Sequence, residues 1–81
     1  MDIQLTKAAT KTLKRLDVST RARIINGIAG LEKEPPEGDI LPMSGHPSEF
    51  RLRVGGYRVI YKLEKNYIRV LAIGPRGDIY K

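Results

Sequence analysis

The sequence predicts an α+β fold: an N-terminal strand, a two-helix hairpin packed on one face of a mainly antiparallel sheet, and a three-stranded C-terminal meander. Three patterns predict it. Apolar and basic residues alternate around a Gly-Gly pair, two helical periodicities come earlier, and a Pro/Gly-rich stretch separates the two regions. With 81 residues, 41% of them hydrophobic, we expect one domain, residues 1–81, around a single core.

The hairpin around Gly55-Gly56 is the strongest pattern. Residues 50–54 alternate apolar with basic, and a second strand from Tyr57 to about Glu64 is rich in aromatic and β-branched residues. A two-residue turn needs positive φ, which glycine adopts without a Cβ clash. If the glycines are the whole turn, the facing pairs are Val54–Tyr57, Arg53–Arg58, Leu52–Val59 and Phe50–Tyr61.

Arg53 and Arg58 then lie directly opposite each other on the polar face of the hairpin. Like charges at this spacing destabilise a sheet by about 0.2–1 kcal/mol. A broken local rule without an evident compensation indicates a functional surface.

A short strand, Asp2 to Leu5, and a first helix are predicted before the hairpin. Thr6 is expected to cap this helix, which runs to about Leu16. Its apolar side is formed by Ala9, Leu13 and Leu16. Its outward side carries Lys7, Lys11, Lys14 and Arg15, which is typical of a solvated helix face.

A second helix is predicted from about Thr20 to Glu34, with Ser19 as the candidate cap. Its apolar stripe is formed by Ile24, Ile28 and Leu31, with Ile25 alongside. Gly27 and Gly30 are expected to permit close approach of the first helix. Pro35-Pro36 ends the helix, because the residue before a proline is disfavoured in the α region.

Residues 35–48 are predicted to be a loop that crosses to the sheet. Long loops in small domains are often functional. Asp39 and His46 in this loop, with Glu49 just after it, are the candidate proton acceptors near the basic strands.

The third strand of the meander is predicted from Tyr67 to Gly74, after a tight turn at Lys65-Asn66. Its expected pairs are Tyr61–Val70, Val59–Ala72 and Arg58–Ile73. The face away from the helices would then carry Arg51, Arg53, Arg58, Lys62 and Arg69 around Ile60, Leu71 and Ile73. Arg76 would lie just beyond the strand, at the end where Arg53 and Arg58 are.

Charge is concentrated in this C-terminal region. Residues 50–81 hold eight basic and two acidic residues, which accounts for the whole net charge of +6. A basic sheet face with interleaved tyrosines is typical of a polyanion binder. The alternatives are a basic surface kept for solubility, and arginines that form intramolecular ion pairs or hold an acidic protein segment. The absence of cysteine excludes disulfides and thiolate metal sites and fits a cytoplasmic protein, and a single histidine excludes a histidine-rich metal site. We expect no metal, no cofactor, no signal peptide and no membrane span.

Guanidinium groups that converge on one face would bind a phosphodiester backbone and stabilise the charge that develops when RNA is cut. RNA supplies its own nucleophile, the 2′-OH. Arginine does not readily give up its proton, so the proton acceptor would be Asp39, Glu49, His46, Tyr80 or a group on a partner. Tyr80 would stack on a base or donate to a phosphate, while Lys62, Arg69 and Lys81 would add RNA contacts.

Four stretches stand out along the chain: LEKEPPEG, Met43-Ser44-Gly45, the block FRLRVGGYRVIYKL and the ending VLAIGPRGDIY. With these stretches and this element order, the chain resembles the RelE/ParE toxin superfamily over nearly its whole length. The resemblance implies a RelE-like fold and the toxin of a type II toxin–antitoxin system. Such toxins are mRNA endonucleases that act in the ribosomal A site without metal and are neutralised by a cognate antitoxin.

The resemblance also implies roles for single residues. Arg53 or a neighbour would lie near the 2′-OH, and Arg51 and Arg58 would bind phosphate. Arg76 would lie near the leaving oxygen, and Tyr80 would stack. The related ParE branch, which poisons DNA gyrase on the same fold, is the main alternative. A non-catalytic RNA- or protein-binding module is the third.

Overall fold

The computed structural model describes residues 2–75, which form a five-stranded sheet with two helices on one of its faces. The strands are β1 (Asp2–Leu5), β2 (Asp39–Pro42), β3 (Glu49–Val54), β4 (Tyr57–Leu63) and β5 (Tyr67–Pro75). Their order is β1-β5-β4-β3-β2, with β1 parallel to β5 and the other pairs antiparallel. The predicted fold class, opening strand and meander are confirmed.

The core lies between the helices and one face of the sheet. Its buried residues are Ala9, Leu13, Ile24, Ile28, Leu31, Leu52, Val59, Tyr61, Ile68, Val70 and Ile73. Phe50 stacks on Tyr61 at this face, with ring centroids 5.5 Å apart, as their predicted pairing requires. Burial raises the pKa of the Tyr61 hydroxyl.

Helix α1 (Lys7–Arg15) begins at Thr6, as predicted. The Thr6 hydroxyl accepts a hydrogen bond from the Ala9 amide (3.2 Å) and donates one to the Leu71 carbonyl (2.8 Å). The Thr6 amide also donates to the Val70 carbonyl (3.0 Å). One residue therefore caps α1 and fastens it to β5.

Helix α2 (Val18–Ala29) differs from its prediction at both ends. Asp17, not Ser19, is the cap: its carboxylate accepts from the Thr20 amide at 3.1 Å, and hydrogen bonds from Thr20 lower the pKa of Asp17. After Ala29 the chain continues as a 3₁₀ turn (Gly30–Glu32). The helix stops early because the Gly30 carbonyl accepts from the amides of Lys33 and Glu37, which turns the chain.

The face of α2 also differs in detail. Ile24 and Ile28 are buried as predicted, but Ile25 is 48% exposed. The prediction that Gly27 and Gly30 permit close approach of α1 is wrong, because their nearest neighbours lie elsewhere. A Cβ on Gly27 would lie 2.8 Å from Val54 Cγ2, and one on Gly30 would lie 3.1 Å from the Glu37 carbonyl oxygen. The glycines bring α2 close to β3 and to the following loop.

The predicted loop contains a strand that the sequence pattern does not reveal. Strand β2 pairs with β3 and forms an edge of the sheet. It is only four residues long and ends in Pro42, and proline is tolerated at such an edge because no ladder hydrogen bond is required of it there.

The register of β3 and β4 is confirmed, since all four predicted pairs are observed around Gly55-Gly56. The predicted register of β4 against β5 is only partly confirmed. The Tyr61–Val70 pair is observed, but the predicted pairs Val59–Ala72 and Arg58–Ile73 are wrong. A bulge places Leu71 outside the pairing, so Val59 faces Ile73, and Arg58 faces Gly74. The shift moves Ile73 from the predicted polar face into the core and leaves Ala72 beside Ile60.

Candidate nucleic-acid interface

The sheet face away from the helices carries five basic side chains on three adjacent strands, and we call it the arginine face. They are Arg51, Arg53, Arg58, Lys62 and Arg69, the set predicted from the strand alternation. Strand pairing arranges them in cross-strand rows, and successive rows are about 7 Å apart because same-face residues are two positions apart. The register therefore brings together five basic residues that are up to 18 positions apart in the sequence.

The first row crosses the sheet near the Gly55-Gly56 turn and contains Asp39, Arg53 and Arg58. Arg53 Nε lies 3.0 Å from Asp39 Oδ2, and both side chains are about half exposed. The Arg53–Arg58 repulsion is therefore partly offset by a carboxylate that lies across the neighbouring strand. Asp39 was predicted to be a loop residue, and its ion pair was missed because β2 was missed.

The middle row is mixed: Leu41, Arg51, Ile60 and Ala72 follow one another across four strands. Ile60 is completely buried, yet it lies outside the core between the sheet and the helices. Arg51 is half-buried beside it. An apolar centre thus separates the two charged rows.

The third row contains Glu49, Lys62 and Arg69. Arg69 Nη2 donates to the Tyr67 hydroxyl at 2.6 Å, its guanidinium lies 5.7 Å from the centre of the Tyr67 ring, and Nε is 3.6 Å from Glu64. The Tyr67 hydrogen bond, with help from the Glu64 carboxylate, raises the pKa of Arg69. The Arg69 side chain is therefore held in place by contacts with Tyr67 on its own strand and with Glu64 in the preceding turn.

Two further candidate proton acceptors, His46 and Glu49, lie together at the end of the third row. His46 Nδ1 is 3.9 Å from Glu49 Oε1. The connecting loop is pinned by hydrogen bonds from the Met43 amide to the Glu49 carbonyl (2.9 Å) and from the Leu63 amide to the Ser48 carbonyl (2.8 Å). Ser48 adopts a left-handed conformation (φ 69°) to make this turn. The carboxylates of Glu49 and Asp39 thus lie in opposite rows of the arginine face.

Three predicted site residues, Arg76, Tyr80 and Lys81, lie outside the described residues, so their positions stay predictions. Within residues 2–75, no three acidic or histidine side chains are grouped closely enough to hold a metal ion. No helix in this part of the chain has the length and apolar character needed to cross a membrane.

Comparison with known proteins identifies the family. Residues 3–80 match the family described as the ParE toxin of type II toxin–antitoxin system, parDE. The chain belongs to this toxin family. No curated protein matches the sequence at a significant level.

Solved structures relate the toxin to RelE. A chain of the archaeal RelE–RelB complex from Pyrococcus horikoshii OT3 is 30% identical, with 95% of this chain and 96% of that chain covered, and a TM-score of 0.79. The isolated E. coli RelE toxin is 17% identical, with 91% and 82% covered and a TM-score of 0.78, and this likeness shows the fold alone. The predicted resemblance to the RelE/ParE superfamily is confirmed.

Proposed function

We propose that the toxin is a ribosome-dependent mRNA endonuclease. The observation that supports this most is the convergence of Arg51, Arg53 and Arg58 from two adjacent strands on one helix-free face. Guanidinium groups match phosphate oxygens bidentately and keep their charge at all physiological pH values. A second support is the RelE-like fold that carries them.

In the proposed reaction, the RNA 2′-oxygen attacks the adjacent phosphorus and the bond from phosphorus to the 5′-oxygen breaks. The products are a 2′,3′-cyclic phosphate and a 5′-hydroxyl, so no water or metal-bound nucleophile is consumed. Arg51 and Arg58 hold the phosphate oxygens and stabilise their added negative charge, while Arg53 lies near the 2′-OH. The 5′-oxygen leaves as an alkoxide and takes a proton from water to become the hydroxyl. The proposal assigns Arg76 to the stabilisation of this oxygen and Tyr80 to stacking on a base.

The proton of the 2′-OH needs an acceptor, and Asp39 is the carboxylate we favour. It lies 3.0 Å from Arg53, the residue that the proposal sets near the 2′-OH, whereas Glu49 lies two rows away on the arginine face. Positioning and charge stabilisation supply the rest of the rate enhancement.

The proposed partners are mRNA in the ribosomal A site and a cognate antitoxin, and the proposed location is the cytoplasm. Relatives from Pyrococcus horikoshii and Methanococcus jannaschii were solved as complexes of RelE with RelB. By analogy, a small antitoxin protein would bind and silence this toxin.

The test is induced expression followed by primer extension on a translated message. We expect new 5′ ends within codons for the wild type and for Lys65→Ala, an exposed residue of the β4–β5 turn, and none for Arg53→Ala. Continued translation with intact message would contradict the proposal.

The same experiment tests the second candidate, inhibition of DNA gyrase, which the match to the ParE family favours. Gyrase-dependent DNA breaks with an intact message would establish that candidate instead. If the message stays intact, no gyrase-dependent DNA breaks form and the protein binds RNA with a salt-dependent affinity, the protein is a non-catalytic binding module.

A further inference from the structure

Helix α2 has a second apolar side that the core does not use. Its first side, which carries Ile24 and Ile28, is buried in the core. The second side is formed by exposed residues spaced i, i+4, i+7 and i+11: Val18, Ala22, Ile25 and Ala29. We call these four residues the α2 seam. They lie within about 60° of each other around the helix axis, because a turn takes about 3.6 residues.

The α2 seam is a continuous apolar stripe that faces solvent. Val18 is 76% exposed and Ile25 is 48% exposed, and neither packs against the core. The seam extends over about 16 Å, at about 1.5 Å per residue. The neighbouring cation, Arg21, is held against the end of α1, since it donates to the carbonyls of Leu13 (3.0 Å) and Leu16 (2.8 Å). Polar residues ordinarily occupy the solvent side of a surface helix, so an apolar stripe there indicates contact with another chain.

The order of side-chain sizes along the α2 seam is self-complementary, because large and small residues alternate. If two copies of α2 pair antiparallel about a two-fold axis between residues 23 and 24, Val18 faces Ala29 of the second copy. In the same arrangement Ala22 faces Ile25 of the second copy. Each large side chain thus meets a small one, and the two halves of the contact are identical, as a closed two-fold interface requires. A parallel pairing would set large on large and small on small.

The charges at the ends of α2 favour the same arrangement. Arg15 lies three residues before the α2 seam, and Glu32 lies three residues after it. Both side chains are exposed, and among the ion pairs of residues 2–75 neither has a partner. The antiparallel pairing brings Arg15 of each copy to the end that carries Glu32 of the other. It also sets the positive N-terminal end of one helix beside the negative C-terminal end of the other.

We propose that the α2 seam binds a second copy of this chain, in an antiparallel dimer with two-fold symmetry. The inference goes beyond the proposed function and does not depend on it. Four side chains per copy are far fewer than the roughly 20–30 residues a side of a standard interface, so the dimer is reversible and forms at high protein concentration. The arginine face lies on the side of the sheet away from the helices, so both copies keep it open.

The first experiment is sedimentation velocity of the purified protein over a range of concentrations up to the millimolar, at low and at high salt. The wild type should pass from monomer to dimer as its concentration rises. High salt should strengthen the dimer, because each copy carries a net charge of +6 and salt screens the repulsion between copies. A wild type that is monomeric at every concentration would overturn the proposal and leave the α2 seam to a different protein, such as the antitoxin.

The test variant is Ala22→Lys, which sets a charged side chain against Ile25 of the second copy. The matched control is Ala8→Lys, which adds the same charge at an exposed alanine of α1. We expect the dissociation constant of the dimer to rise by roughly tenfold or more in the test variant and to change much less in the control. Circular dichroism melting checks that both variants fold. Equal weakening in the two variants would mean a general charge effect and would overturn the proposal.

The second experiment tests the antiparallel orientation by disulfide cross-linking, which is selective because the chain has no cysteine of its own. A Val18→Cys chain is mixed with a size-tagged Ala29→Cys chain and oxidised mildly. In the proposed dimer residue 18 lies beside residue 29, whereas the two copies of residue 18 are about 16 Å apart along the helix axis. A disulfide needs Cα atoms within about 7 Å, so the mixed product should predominate. Predominance of either unmixed product would overturn the proposal.

Discussion

Strands β3 and β4 have two chemically opposite faces. On the helix side, Leu52 and Val59 face each other and are 1% and 0% exposed. On the other side, Arg53 and Arg58 face each other next to them. Because side chains alternate along a strand, neighbouring residues take on separate tasks: one face stabilises the fold and the other concentrates charge. Changes on the two faces should therefore affect stability and activity separately.

The largest expected effect on stability is from Leu52→Ala. The substitution removes a completely buried side chain from the core, and such changes cost about 2–5 kcal/mol of unfolding free energy. Urea unfolding followed by circular dichroism measures it. The matched control is Leu41→Ala, on the other face and 49% exposed, for which we expect a much smaller loss. Similar losses in both variants would contradict the assignment of the core to one face.

A smaller loss is expected from Gly38→Ala, which tests how the chain enters β2. Gly38 has φ 131°, and a Cβ there would lie 2.7 Å from Leu52 Cδ1. Backbone strain of this kind costs about 1–3 kcal/mol. Gly56→Ala is the control, since a Cβ at Gly56 has no atom within 4 Å. A Gly38→Ala melting temperature equal to that of the control would show that β2 is not anchored as described.

Arg53→Ala should change stability by no more than about 0.5 kcal/mol, because an exposed ion pair contributes little and its loss is accompanied by relief from Arg58. Message cleavage should be abolished by the same change. Thermal melting and the primer-extension assay, run on one preparation, give both values. A large loss of stability would show that the arginine serves the fold.

The smallest effect concerns Asp17, the cap of α2. Hydrogen bonds from Thr20 lower its pKa from the ordinary 3.8. Its contribution to stability is therefore present above that ordinary value and is lost as pH falls through the lowered pKa of the folded state. Asp17→Asn keeps a capping side chain and removes the titration. The stability difference between wild type and variant should shrink in acid, and parallel pH profiles would refute this.

The sequence predicts well what is local in the chain. The Gly55-Gly56 turn determines the register of β3 against β4, and the same alternation assigns Arg51 to one face and Leu52 to the other. The Thr6 cap and the buried Ile24 and Ile28 follow equally from near neighbours. The shared face of the predicted basic residues could therefore be anticipated, although their roles in catalysis stay proposals.

The structural features that the sequence does not predict depend on contacts between residues that are far apart in the chain. The bulge at Leu71 displaces a carbonyl that the Thr6 hydroxyl satisfies from 65 positions away. Strand β2 is too short to show a period of its own, so the Asp39–Arg53 pair was missed with it. Its residues are Asp-Ile-Leu-Pro, and because Ile40 and Leu41 are adjacent and both apolar, no alternation of polar and apolar residues marks the strand.

The parallel pairing of β1 with β5 has a consequence for how the toxin is made. Asp2 is matched with Tyr67 and Leu5 with Val70, so β1, which is synthesised early, cannot pair until β5 has been synthesised. Ala9 and Ile68 share a core that also stays open until then. A chain still emerging from the ribosome therefore lacks a closed sheet and a complete core until β5 has been released.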